Sequence, residues 1–129
     1  MAHHSRLAGF IIDCRSDDLA QAAGFWSKAL GLAIADPDEG GEDRYARLAP
    51  GPGDLRIEVQ KVEHESRVHL DIESDDLEAE VARLVALGAR EVSRPRAGRW
   101  VVMQAPTGQR FCVVRMHHPE RGAMPTRWP

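Results

Sequence analysis

The chain has 129 residues, 43% hydrophobic and 29% charged, with a formal net charge of −3. That length suits one domain with a real core, while halves of roughly 60 residues would be marginal alone and should share a core or pair as a homodimer. The mixed, weakly acidic charge argues against nucleic acid or a membrane surface as partner, and no apolar run reaches the roughly 18 residues of a membrane span. Cys14 and Cys112 are the only cysteines, too few for a disulfide framework. With no apolar leader near His3-His4, a cytoplasmic protein with reduced thiols is expected. The two histidines themselves read as a frayed terminus.

Leu7 to Cys14, apolar until Asp13, suits a buried strand. Asp18 can cap the next helix, with Gln21 completing a capping box. Leu19, Ala22, Ala23, Phe25, Trp26, Ala29 and Leu30 then form a helical stripe that Gly31 ends. Asp36 to Asp43 reads as a loop or hairpin end, Arg44 to Ala49 as a strand, and Pro50-Gly51-Pro52-Gly53 as a turn. Leu55, Ile57 and Val59 alternate with Arg56, Glu58 and Gln60, the period of a half-buried strand.

A polar connector, Glu63 to Arg67, marks the middle of the chain. Beyond it Val68, Leu70 and Ile72 alternate with His69, Asp71 and Glu73. Asp75 with Glu78 offers a second capping box, and Leu77, Val81, Leu84 and Val85 a second stripe. Arg99 to Gln104 and Gln109 to Met116 read as strands joined by the turn Ala105-Pro106-Thr107-Gly108, and 117–129 as an aperiodic tail. Ser-Asp-Asp-Leu occurs at both Ser16 and Ser74, and laying one on the other also lays Asp71 on Asp13. Each copy runs strand, acidic cap, helix, Leu-Gly, so the chain reads as a duplicated unit. One helix serving several strands excludes a doubly wound fold.

The segments Phe25-Trp26-Ser27-Lys28-Ala29-Leu30-Gly31, Val68-His69-Leu70-Asp71-Ile72, Leu84-Val85-Ala86-Leu87-Gly88 and Ala105-Pro106-Thr107-Gly108-Gln109 carry a resemblance. Together they resemble the vicinal oxygen chelate superfamily, which contains glyoxalases, bleomycin-resistance proteins and extradiol dioxygenases. The resemblance spans about residues 8 to 115. It implies an α+β domain of two βαβββ modules, about 6–62 and 66–116, followed by the tail. Their mixed sheets would curl around a concave cleft, with one helix behind each module. Metal-dependent members take ligands from the first and last strand of each module. His69 falls on such a position, but its counterpart Ile11 cannot bind a metal. Glu58 falls on the last strand of module one, and aligning Pro52 with Pro106 sets it opposite Cys112, where such members commonly carry Glu.

If Val68, Leu70 and Ile72 pack under the helices, then His69, Asp71 and Glu73 face the cleft with Asp13, Glu58, Gln60 and Cys112. His69 and Glu58 are the candidate ligands of a divalent metal (Fe, Mn, Ni, Co or Zn), which suits imidazole and carboxylate donors. Asp13 and Asp71 are the candidate catalytic groups; Gln60, Trp100 and Cys112 are the candidate ligand contacts. Each has a plainer reading: His69 hydrogen-bonding a neighbour, Asp13 bonding buried backbone, Cys112 filling core. Trp26 belongs to the helix stripe, and Trp128 covers a partner subunit or nothing. Arg90, Arg94, Arg96 and Arg99 either steer anions or line a solvated loop. The expected activity is a metal-dependent lyase, isomerase or dioxygenase on a small oxygenated compound. The alternative is metal-free sequestration of a drug or metabolite, as in bleomycin resistance.

Overall fold

Helix α1 (Leu19–Leu30) forms where both ends are closed locally. The Asp18 carboxylate accepts the Gln21 backbone N–H at 3.0 Å, and Gly31, at φ 70°, returns its N–H to the Ser27 carbonyl. In this computed structural model, which describes residues 2–129, the described residues form nine strands, three helices and a 3-10 turn at Pro52–Asp54. They divide into two compact units. Gly9–His69 is one; Leu70–Pro129 with the described residues up to Ala8 is the other.

The first unit holds α1 and the strands β1 (His3–Arg15, from Gly9 onward), β2 (Ile34–Glu39), β3 (Tyr45–Leu48) and β4 (Arg56–Val62). Their order is β2-β3-β4-β1. β1 and β4 run parallel while the other pairs are antiparallel, which makes a mixed sheet. α1 packs on β2, β3 and β4, burying Leu19 and Ala23 against Ala46, Leu48 and Val59, with Trp26 at the margin. Each such large apolar side chain contributes about 2 kcal/mol on burial. The predicted stripe was too wide. Phe25 is 61% exposed, because it lies about 200° around the helix from Ala23, and its ring meets Trp26 edge-on. Of the two readings for Asp36 to Asp43, loop or hairpin end, the hairpin end is what forms: Asp36–Glu39 close edge strand β2, whose register against β3 shifts twice.

The second unit repeats the plan. β5 (Arg67–Ser74) enters it at Leu70 and is followed by α2 (Leu77–Ala86), β6 (Arg90–Ser93), the short turn α3 (Pro95–Gly98), β7 (Trp100–Gln104) and β8 (Arg110–Arg115). The strand order is β5-β8-β7-β6, with β5 parallel to β8. Leu77, Val81 and Leu84 of α2 close a core with Ala89, Val101, Met103, Phe111 and Val113. The α+β class and the duplicated βαβββ plan are therefore both present.

Several local expectations change. Asp76, not Asp75, caps α2, accepting the Ala79 N–H at 3.0 Å. Asp75 instead holds the His4 backbone N–H at 2.7 Å and its ring at 2.8 Å. Val68 and Leu70 do not pack under a helix; they are 58% and 44% exposed. Ile72, farther along β5, does pack against the core that α2 closes, while α2 itself lies over β6, β7 and β8. The arginine stretch contains β6, and Arg94 is drawn into ion pairs with Glu78 and Glu91.

The termini of the described chain are also ordered by contacts. His3 is 5% exposed and its Nε2 lies 2.7 Å from Oε1 of the fully buried Glu80, which Arg83 also clasps through two hydrogen bonds. β9 (Thr126–Trp128) pairs antiparallel with His3–Ser5. Trp128 donates its indole N–H to Ser5 Oγ at 2.8 Å and stacks under the Arg83 guanidinium at 3.8 Å. In place of a frayed start stands a paired strand, and three residues of the tail, Thr126–Trp128, pair with it.

Candidate functional site around His69

Because side chains alternate along a strand, each sheet has one face under its helix and one face turned away. In the first unit the latter face carries Ile11 and Asp13 from β1, Glu58 and Gln60 from β4, and Tyr45 and Arg47 from β3. The register sets them in rows: Asp13 opposite Gln60 opposite Tyr45, and Ile11 opposite Glu58 opposite Arg47. Gln60 donates its amide to the Tyr45 hydroxyl at 3.0 Å.

Asp13 is 2% exposed, and its Oδ2 lies 2.8 Å from His69 Nδ1. His69 itself keeps only 12% of its side chain exposed. Since a buried carboxylate accepts, His69 Nδ1–H donates this hydrogen bond. Arg67 adds a more distant positive charge, its Nε being 3.7 Å from the same oxygen. The other oxygen, Asp13 Oδ1, is buried and receives no hydrogen bond. The Cys14 thiol next door is pushed above its ordinary value, first by burial and further by the Asp13 charge, against a lowering hydrogen bond with Trp26.

Along β5 and its partner β8, His69, Asp71 and Cys112 each offer one ligand atom, and these atoms lie within 4.8 Å of one another. Asp71 stands opposite Cys112 in the parallel register. Imidazole, carboxylate and thiolate are all first-row metal donors, and bonds of about 2.0–2.3 Å set adjacent ligand atoms of a tetrahedral ion roughly 3.3–3.8 Å apart. The observed spacing therefore fits a divalent ion after rotamer adjustments of about an ångström. A carboxylate behind a metal-binding histidine is a usual outer-shell partner, and Asp13 stands in that relation to the His69 ring.

Two further expected site residues, Glu58 and Trp100, lie on the flanking strands β4 and β7. Glu58 is not in that trio; Arg56 Nε lies 3.0 Å from its Oε1. Trp100 is half-buried on β7 opposite Val114, on the same face as Cys112. The internal repeat also shifts. With Asp13 laid on Asp71, their neighbours Gln60 and Cys112 correspond; Glu58 does not match Cys112. Counting from the prolines failed because the turn before β4 includes the 3-10 segment Pro52–Asp54, two residues longer than its counterpart before β8. A shift of two preserves the face.

Sequence reasoning also missed Tyr45, Arg47 and Glu39. Arg47 Nε lies 2.7 Å from Glu39 Oε2, and Arg56 reaches the same oxygen at 3.5 Å. Burial raises the Glu39 carboxyl, but hydrogen bonds from Glu58 and Arg47 and the charges of Arg56 and Arg47 outweigh it and hold it below its ordinary value. The alternation of Tyr45 and Arg47 with buried Ala46 and Leu48 was the only available signal. A separate hollow of about 930 Å³ beyond the ends of β1 and β4 is lined by charges of both signs, among them Arg15, Asp43 and Lys61.

The fold and this face define the class: a duplicated βαβββ protein of the glyoxalase, bleomycin resistance and dioxygenase (vicinal oxygen chelate) superfamily. The model of the glyoxalase-like domain matches residues 9–114, and the chain belongs to that family. Methylmalonyl-CoA epimerase from Mycobacterium tuberculosis is similar at 20% identity and a TM-score of 0.61, covering 84% of this chain and 86% of that one. The Mn(II)-bound glyoxalase from Novosphingobium aromaticivorans aligns at 19% identity and a TM-score of 0.58 over 89% of this chain and 40% of that one. A superfamily member from Vibrio splendidus 12B01 aligns at 16% identity and a TM-score of 0.53, over 87% and 99%. At these identities the likeness is one of fold. No curated protein matches the sequence. No helix among the described residues is long and apolar enough to cross a membrane.

Proposed function

We propose that this glyoxalase-like protein binds a divalent metal through His69, Asp71 and Cys112 and acts on a small oxygenated compound as a lyase, isomerase or dioxygenase. The observation that carries the reading is the buried Asp13–His69 hydrogen bond at 2.8 Å. With Nδ1–H given to Asp13, Nε2 would be the ligating nitrogen, together with the Asp71 and Cys112 donors. A metal bound there would polarise adjacent oxygens of a substrate. The protein's own share is positional. Asp13 orients the ring and balances charge on it, while Gln60, braced by Tyr45, presents its amide to the substrate. Trp100 offers an apolar wall. The metal-free reading draws on Glu58, whose engagement with Arg56 leaves three donors rather than four. The Mn(II)-bound state of one structural relative supports the metal-dependent reading.

The test is metal content by mass spectrometry after purification without chelator or metal-affinity resin, followed by titration with Zn²⁺, Mn²⁺, Fe²⁺, Co²⁺ and Ni²⁺. One equivalent is expected for at least one ion. Affinity should fall about 10- to 100-fold in Asp13→Asn, as for other partners that orient a ligating histidine, and vanish in His69→Gln. A folded wild-type protein that binds none of these ions, yet takes up a planar aromatic compound, would reverse the assignment in favour of sequestration.

A further inference from the structure

On the same face of the first unit, two guanidinium groups converge on one carboxylate. Arg47, on β3, and Arg56, on β4, both approach Glu39 Oε2. The cluster is open to solvent, with the three side chains 36%, 53% and 24% exposed respectively. The direct cross-strand neighbour of Arg47 is Glu58, yet Arg47 bonds Glu39 while Arg56 takes Glu58. Glu39 comes from the far end of an edge strand, just after a register shift. Gly40 and Gly41 follow it, at φ 86° and 70°. A carboxylate delivered from so loosely paired a segment can leave without disturbing β3 or β4.

We propose that Arg47 and Arg56 form a subsite for the carboxylate of a short organic acid, and that the Glu39 side chain occupies it in the resting protein. Planar guanidinium pairs recognise carboxylates through directed, charge-assisted bonds. One carboxylate then replaces another on the same guanidinium groups, so the ligand must outcompete Glu39. The register gives the scale. Arg47 lies two strands from Asp13 and two residues along, about 12 Å between Cα atoms. An arginine reaching about half that distance would hold an acid group so that a chain of a few carbons extends to His69. The substrate class is thus a small carboxylic acid bearing a second oxygen function. This deepens the metal-site reading above, on which its chemical role rests.

The experiment measures binding of malonate and of its neutral analogue malonamide by calorimetry, at fixed ionic strength, to protein freed of metal with EDTA. Malonate should bind and malonamide should not. Arg47→Gln should weaken malonate at least tenfold, and Arg56→Gln should weaken it as well. Glu39→Gln should tighten it by about fivefold, the range partly exposed ion pairs span. A purely structural ion-pair cluster predicts the opposite for Glu39→Gln: lower thermal stability and no gain in affinity. Equal binding of malonate and malonamide, or no tightening in a folded Glu39→Gln protein, overturns the subsite. Metal titration of Arg47→Gln separates the two readings: retained metal binding with lost malonate is expected here, whereas lost metal binding in wild type would refute the metal centre alone.

Discussion

Gly9→Ala is the sharpest test of how β1 is held. Gly9 faces Arg56 in the parallel β1–β4 register. A Cβ at this position would lie 1.8 Å from the Arg56 carbonyl oxygen, 2.7 Å from its carbon and 2.8 Å from its nitrogen. All three are backbone atoms, so no side-chain rotation relieves the overlap. Restoring an ordinary contact near 3.2 Å requires the strands to separate locally by about 1.4 Å, enough to break two or three ladder hydrogen bonds. At about 1 kcal/mol each, with some loss of packing, the cost is about 3 kcal/mol. In an unconstrained site the same change gains about 0.4–1 kcal/mol by restricting the unfolded chain, so the sign itself discriminates. Urea denaturation should show the midpoint falling by about 1–3 M, given slopes of about 1–3 kcal/mol/M. A Gly9→Ala protein within about 0.5 kcal/mol of wild type would refute the close approach, and with it the register that sets Asp13 beside Gln60.

Glu80 provides a pH test. Burial raises its carboxyl, but hydrogen bonds from Arg83, His3 and Ser5 and the Arg83 charge outweigh this and hold it below its ordinary 4.5. A depressed carboxyl adds stability that is full above the ordinary value and is lost as pH falls through the lower folded value. Wild-type stability should therefore decline on acidification below about pH 5, whereas Glu80→Gln should lose about 3 kcal/mol at pH 7 and show a flatter acid limb by urea titration. An unchanged acid limb would remove Glu80 from the account. Asp76→Ala should cost about 1 kcal/mol, as loss of a helix cap does. The capping contribution of Asp75, the residue favoured by the sequence pattern, should be absent, which amide exchange in the first turn of α2 would show.

What the sequence settled by itself is whatever depends on neighbours within a few residues. Asp18 and Gly31 bound α1 by local hydrogen bonds and backbone preference, and alternation along β1 and β5 put Asp13, His69 and Asp71 on candidate faces. The duplication was legible because both modules reuse the same short signals. Tertiary structure decided what depends on distant pairing. Whether Leu70 is covered, as Ile72 is, depends on how far along β5 the core of its unit extends, which no local pattern encodes. Matching Cys112 to Gln60 rather than Glu58 depends on a turn two residues longer, and a period of two leaves the face unchanged either way. His3 and Trp128 looked unstructured because each finds its partner far along the chain, 77 positions away at Glu80 and 123 at Ser5. The hydrogen bond between Asp13 and His69 belongs to the same category: two residues chosen separately from the sequence, joined only when the chain closes the 56 positions between them.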